Sequence, residues 1–193
     1  MSVFSKLFYN QNSSRSESET ENEGSKNTFA SIQIFLKNLL AADKYIAKSD
    51  YIKYFLENSE LIGYVQKLSA DGFLKDYCKK NGLKVKSVED SLQNIEKLDE
   101  LIKFHNHEFI ERKLKSEKEY LDSILKEIDP AINLDDDQRK VILTDEDYCL
   151  VIAGAGAGKT TTVAAKVKYL VEKQNVKPEE ILVVSFTNKA VDE

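Results

Sequence analysis

An α/β fold, preceded by a long helical region, is what this sequence predicts, on three observations. Residues 10–27 (NQNSSRSESETENEGSKN) hold no aliphatic or aromatic side chain. Between residues 28 and 128 apolar residues recur at three- and four-residue steps, and from residue 148 an apolar run, a glycine-rich loop, a helical pattern and a second apolar run follow one another. A segment of the first kind cannot bury enough surface to offset the entropy of ordering. Residues 1–27 therefore read as a flexible tail, 28–130 as a helical region and 131–193 as the start of an α/β domain.

The helical region begins at Thr28, a suitable N-cap, after which Ile32, Phe35, Leu36, Leu39, Leu40 and Ile46 keep helical spacing. A second helical run spans Tyr51 to Leu68, and the pairs Asp71-Gly72 and Asn81-Gly82 predict turns on either side of FLKDYCKK. From Val88 to Ile128 the chain is rich in Glu, Lys and Leu, with Ile95, Leu98, Ile102, Leu114, Leu121 and Ile124 in helical register; this predicts one long helix or a helical hairpin. Pro130 ends it and marks the expected domain boundary, because proline lacks an amide hydrogen and disfavours helix in the residue before it. Beyond it come a short helix from about Asp135 to Leu143, a strand YCLVIA (148–153), a helix to about Gln174, a turn at Pro178 and a strand ILVVSF (181–186). Strand, crossover helix, strand implies a parallel pair. Val163, Val167, Leu170 and Val171 form the expected buried face of the crossover helix.

With 41% hydrophobic residues the chain can build a core, and a net charge of -5 with 32% charged residues carries no basic excess that would announce nucleic acid or exclude it. Cys78 and Cys149 lie far apart outside any metal-ligand spacing, which suits a reducing compartment. No apolar span reaches 18 residues and the N-terminal run is too short for a signal peptide, so the expected setting is the cytoplasm, with no membrane. His105 and His107 would point about 200° apart on a helix and cannot chelate one ion. Cys149, within an apolar run, is expected to be a buried inert thiol, and Asp145, Glu146 and Asp147 an acidic solvated turn.

The chemistry concentrates in VIAGAGAGKTTT, residues 151–162. Strand, glycine-rich loop, Lys-Thr and helix make the arrangement of a phosphate-binding P-loop. Its main-chain amides must approach phosphate oxygens closely, and Gly154, Gly156 and Gly158, alternating with Ala153, Ala155 and Ala157, give that access. Lys159 would set an ammonium against the β- and γ-phosphates of ATP, Thr160 would offer its hydroxyl to Mg2+, and Thr161 continues the helix start whose positive dipole end faces the anion. Ala153 stands where the general pattern GxxxxGK[ST] has its first glycine.

AGAGAGKT resembles the AGAGSGKT form of UvrD/Rep-type superfamily 1 DNA helicases. Upstream, LDDDQRKVI (134–142) resembles that family's Q motif, with Asp135 in place of its Asn, and downstream ILVVSFTNKAVDE (181–193) resembles its motif Ia. The stretch FHNHEFIERKLKSEKEYLDSIL more loosely resembles the segment preceding the Q motif in helicase IV-like members. The resemblance implies a RecA-like parallel-sheet lobe, incomplete in this chain, that uses ATP and Mg2+ to move along single-stranded DNA, with 3′-to-5′ polarity and a repair setting. It implies that Gln138 reads adenine through a bidentate amide contact. On residues alone Asp135 and Gln138 read first as a capping box, and one short helix can fill both roles. It also implies that Phe186, Thr187, Asn188 and Lys189 contact single-stranded DNA by stacking and phosphate contacts.

Hydrolysis in that family further needs an acidic pair at a strand end and arginines from a second lobe. Neither follows before Glu193, so the chain reads as an N-terminal fragment, expected to bind nucleotide poorly and to hydrolyse none on its own. Two rivals stand beside the helicase: a helical protein-interaction module in residues 28–130, with a protein partner and a regulatory P-loop, and a P-loop ATPase outside the helicases.

Overall fold

A computed structural model describes residues 28–184, and the chain divides between His107 and Glu108 into two compact units. The first holds α1 (Phe29–Ala41), a 3-10 turn at Lys48–Asp50, α2 (Ile52–Glu57), α3 (Ser59–Ala70), α4 (Leu74–Asn81), α5 (Val85–Glu96) and the start of α6 (Leu98–Ser116). The second holds the rest of α6, α7 (Lys118–Ser123), α8 (Asp136–Leu143), α9 (Lys159–Gln174) and a 3-10 turn at Pro178–Glu180. Pro130 thus lies inside the second unit, where residues 108–129 share a core with the segment after it.

In the first unit α1 begins where Thr28 is extended, and its Ile32, Leu36 and Leu39 turn one face into a core with Phe55, Ile62, Val88 and Ile95. Phe35 stacks on Tyr54 with ring centroids 3.8 Å apart at that core's edge. α1 stops at Ala41, so Ile46, in helical register with it, reaches the core from a loop instead. Both expected turns form: Gly72 and Gly82 adopt φ of +83° and +66°, where a Cβ is disfavoured, and the Leu83 amide returns to the Cys78 carbonyl at 2.9 Å to close α4. The long apolar register from Val88 to Ile128 breaks into separate helices at Lys97 and Glu117, with φ near -100° and ψ near 14° at each.

The second unit buries Leu121, Ile124, Leu125, Leu134, Ile142, Leu143, Ala165 and Tyr169. α8 packs on α9, and Arg139 ties α8 to α7 through an ion pair with Asp122 at 2.7 Å. The face that α9 turns to this core is Thr162, Ala165 and Tyr169, while Val163 is 47% exposed. The expected Val163–Val171 face is therefore not the buried one. At 100° per residue the two stripes lie on different sides of the helix.

No strand forms among the described residues. Tyr148, Leu150 and Ile152 are each more than four-fifths exposed, as are Leu182 and Val184, and Cys149 is exposed rather than buried. The physical reason is that a strand of a parallel sheet is held by ladders to neighbours and by cover on both faces. Runs 148–153 and 181–184 have no such ladder among the described residues. No helix among them is long and apolar enough to cross a membrane.

Candidate nucleotide-binding site

The glycine-rich loop turns through two left-handed positions, Gly156 at φ +75° and Gly158 at φ +72°, the second directly before Lys159 starts α9. A β-carbon is strained in that region by roughly 1–2 kcal/mol, so the two positions call for glycine on conformational grounds. At Gly154 a Cβ would meet nothing within 4 Å, which leaves the approach to that part of the loop open. Thr162 closes the first turn behind the loop, its amide and its hydroxyl both donating to the Gly158 carbonyl, at 2.8 and 2.9 Å. That leaves the amides of Lys159, Thr160 and Thr161 in the first helical turn, where no intrahelical carbonyl is available to them. The Lys159 ammonium crosses the loop, donating to the carbonyls of Ala153 at 3.2 Å and Gly154 at 2.6 Å. Amides, an ammonium and the exposed Thr160 hydroxyl are donors gathered at a helix N-terminus, a set that fits a polyphosphate.

Gln138 joins this loop to α8. The Asp135 carboxylate accepts from the Gln138 amide at 2.8 Å, and the Gln138 side-chain oxygen accepts from the Asp135 amide at 2.9 Å, a complete capping box. The side-chain nitrogen of the same residue donates to the Ala157 carbonyl through a long 3.4 Å bond. A Cβ on Gly158 would stand 2.5 Å from that nitrogen, so the missing β-carbon also makes room for the carboxamide. Capping uses one lone pair of the oxygen and the loop one hydrogen of the nitrogen. One acceptor and one donor remain, the pair a bidentate contact with adenine requires.

Two basic residues that the sequence pattern did not single out fasten this arrangement. Lys166 donates to the carbonyls of Ile142 at 2.8 Å and Thr144 at 2.6 Å, at the C-terminal end of α8. Burial pushes its pKa down, against the smaller opposing pull of Asp145. Arg139 donates to the Leu134 carbonyl at 2.9 Å as well as pairing with Asp122. Near the C-terminal end of α9 the Tyr120 hydroxyl donates to Glu172 at 2.7 Å, and Lys173 pairs with Glu117 at 3.2 Å above the Tyr120 ring. Burial, then the Glu172 bond, raises the Tyr120 phenol well above its ordinary value. Only the spacing of Lys166, seven residues after Lys159 and so on nearly the same side of α9, hinted at its place.

The sequence-predicted residues Gln138, Ala153–Gly158, Lys159 and Thr160 thus meet at one loop, with Thr161 half-buried beside them. Phe186, Thr187, Asn188 and Lys189 lie outside the described residues. His105 and His107 are apart in role: His105 shares a 2.9 Å hydrogen bond with the Lys44 carbonyl and His107 is exposed.

The family model of the UvrD/REP helicase N-terminal domain matches residues 134–193. Over 60 residues the chain is 48% identical to a probable DNA helicase II homolog of Mycoplasma capricolum, covering 31% of this chain and 8% of that protein. It is 39% identical over 61 residues to the ATP-dependent DNA helicase PcrA of Staphylococcus epidermidis, 32% of this chain and 8% of the relative. It is also 62% identical over 42 residues to the mitochondrial ATP-dependent DNA helicase HMI1 of Saccharomyces cerevisiae, 22% of this chain and 6% of the relative. The match therefore spans less than a tenth of these curated relatives' length. No solved structure matches the chain. Residues 134–193, which carry the capping box, the glycine-rich loop and α9, are thus the part of this chain that is similar to the UvrD/REP helicase N-terminal domain.

Proposed function

We propose that residues 131–193 open the ATP-binding lobe of a UvrD-type DNA helicase, whose hydrolysis of ATP drives 3′-to-5′ movement along single-stranded DNA in the cytoplasm. In a lobe of that type the runs 148–153 and 181–184 are parallel strands that cover the valine stripe of α9. The observation that carries this reading is that Gln138 and Lys159, one suited to a purine and the other to phosphates, both bond to the same six-residue loop. Lys159 and the first amides of α9 hold the phosphates, Thr160 takes Mg2+, and Gln138 reads adenine. Phe186, Thr187, Asn188 and Lys189 face single-stranded DNA. The separate core of the first unit, built around Phe29, Phe55 and Ile62, favours a second role for residues 28–130 as a docking module for a protein partner.

Calorimetry of the chain with magnesium-ATP and magnesium-GTP tests the nucleotide reading. ATP should bind more tightly, and Gln138→Ala should remove that preference by weakening ATP roughly five- to tenfold, the worth of one or two hydrogen bonds, while leaving GTP unchanged. Equal affinities for the two nucleotides in the parent chain would refute adenine recognition by Gln138.

A further inference from the structure

We infer that Lys166 is a positioning residue for the base-reading end of this site: its ammonium fixes the C-terminal end of α8 on α9 and so holds Gln138 at its place against the glycine-rich loop. The inference rests on the ATP-binding reading above. α8 is eight residues long, little more than two turns, and helices that short do not persist unless their ends are held. At its N-terminal end the holding is done by the Asp135–Gln138 box and the Gln138 bond to Ala157. At the other end two carbonyls, of Ile142 and Thr144, converge on one nitrogen, Nζ of Lys166. A cation there also meets the negative end of the helix dipole.

The direction of the restraint matters. Arg139 is the other anchor, but its partners are Asp122 on α7 and the Leu134 carbonyl, so it does not set α8 against the helix that carries the phosphate site. Lys166 does. It leaves α9 seven residues after Lys159, so the same helix that presents the phosphate-binding ammonium also grips α8 two turns later. The distance from Gln138 to the phosphates is in this way fixed through α9 itself. Ile142 and Leu143, both buried, pack on the same stretch but define no direction along the helix axis; the two hydrogen bonds from Lys166 do.

The test compares binding of magnesium-ATP, magnesium-GTP and inorganic tripolyphosphate to the whole chain and its variants. Lys166→Met keeps the aliphatic stem and removes all three donors. It should weaken ATP roughly tenfold, the scale of a charge-assisted hydrogen bond, leave tripolyphosphate unchanged and bring the ATP-to-GTP ratio close to one. Lys166→Arg, which can still donate to both carbonyls, should restore most of the preference. In a Gln138→Ala background, Lys166→Met should cause no further loss of ATP affinity, since both changes act through the same contact. A purely structural role would instead weaken all three ligands in equal proportion. That result, an unchanged ATP-to-GTP ratio in Lys166→Met, or additive losses in the double variant would each overturn the inference while the parent's ATP preference stands. A parent chain without that preference would remove the reading beneath it as well.

Discussion

Lys159→Met is expected to lower the affinity of the chain for magnesium-ATP on the order of a hundredfold, and for inorganic tripolyphosphate by a similar factor. The ammonium that now bridges the carbonyls of Ala153 and Gly154 has only to swing from those two acceptors to phosphate oxygens, which carry charge where the carbonyls carry none. Each charge-assisted bond contributes about 1.5–3 kcal/mol, and two lost bonds at the lower end of that range account for the expected factor. Since Lys159 is exposed, the substitution should leave the unfolding of the second unit nearly unchanged. The contrast with Gln138→Ala is the informative part: loss of the ammonium is blind to the base, and loss of the carboxamide is blind to the phosphates. Calorimetry with the three ligands separates them. A Lys159→Met variant that keeps its tripolyphosphate affinity would show that the loop is an ordinary strand-to-helix turn with a surface lysine.

The same residues show what a sequence can and cannot disclose. The capping box at Asp135 and Gln138, the start of α9 at Lys159 and the turns at Gly72 and Gly82 rest on interactions between neighbours in the chain, and they stand where the pattern places them. The breaks at Lys97 and Glu117 carry no glycine or proline, so no local signal in the sequence marks them. Ile46 kept helical register with α1 by coincidence of spacing, and it enters the core from a loop. The valines of α9 and the runs 148–153 and 181–184 carry the apolar signal of a βαβ unit without forming a ladder among the described residues, because pairing depends on partners remote from the segment itself. Lys166 and Arg139 were hidden for a simpler reason. A lysine that caps a neighbouring helix and a lysine in solvent look alike in sequence.

Asn106 shows how such a polar anchor can govern stability. It follows Leu98 and Ile102 on the buried face of α6, a position where an apolar residue is the usual occupant, and it is 8% exposed. Its side chain pairs with both backbone groups of one residue: the oxygen accepts from the Ile46 amide at 2.8 Å and the nitrogen donates to the Ile46 carbonyl at 2.9 Å. Ile46 itself is fully buried, so neither group has water to turn to if the partner is lost. Asn106→Leu matches the side chain in size and strands both groups, at about 1–3 kcal/mol each, so the first unit should lose roughly 2–6 kcal/mol. Asn106→Asp is the instructive companion. It keeps an acceptor for the amide but turns a second oxygen toward the Ile46 carbonyl, and at neutral pH it should cost about as much. Hydrogen exchange resolved by peptide is the fitting measurement, because it reads the units separately where a single melting curve would not. Protection should fall across α1, α2 and the loop bearing Ile46 and stay near the parent's level in α8 and α9. If Asn106→Leu left the first unit's protection intact, the loop would have to be held by the apolar contacts of Ile46 alone, and the two hydrogen bonds would count for little.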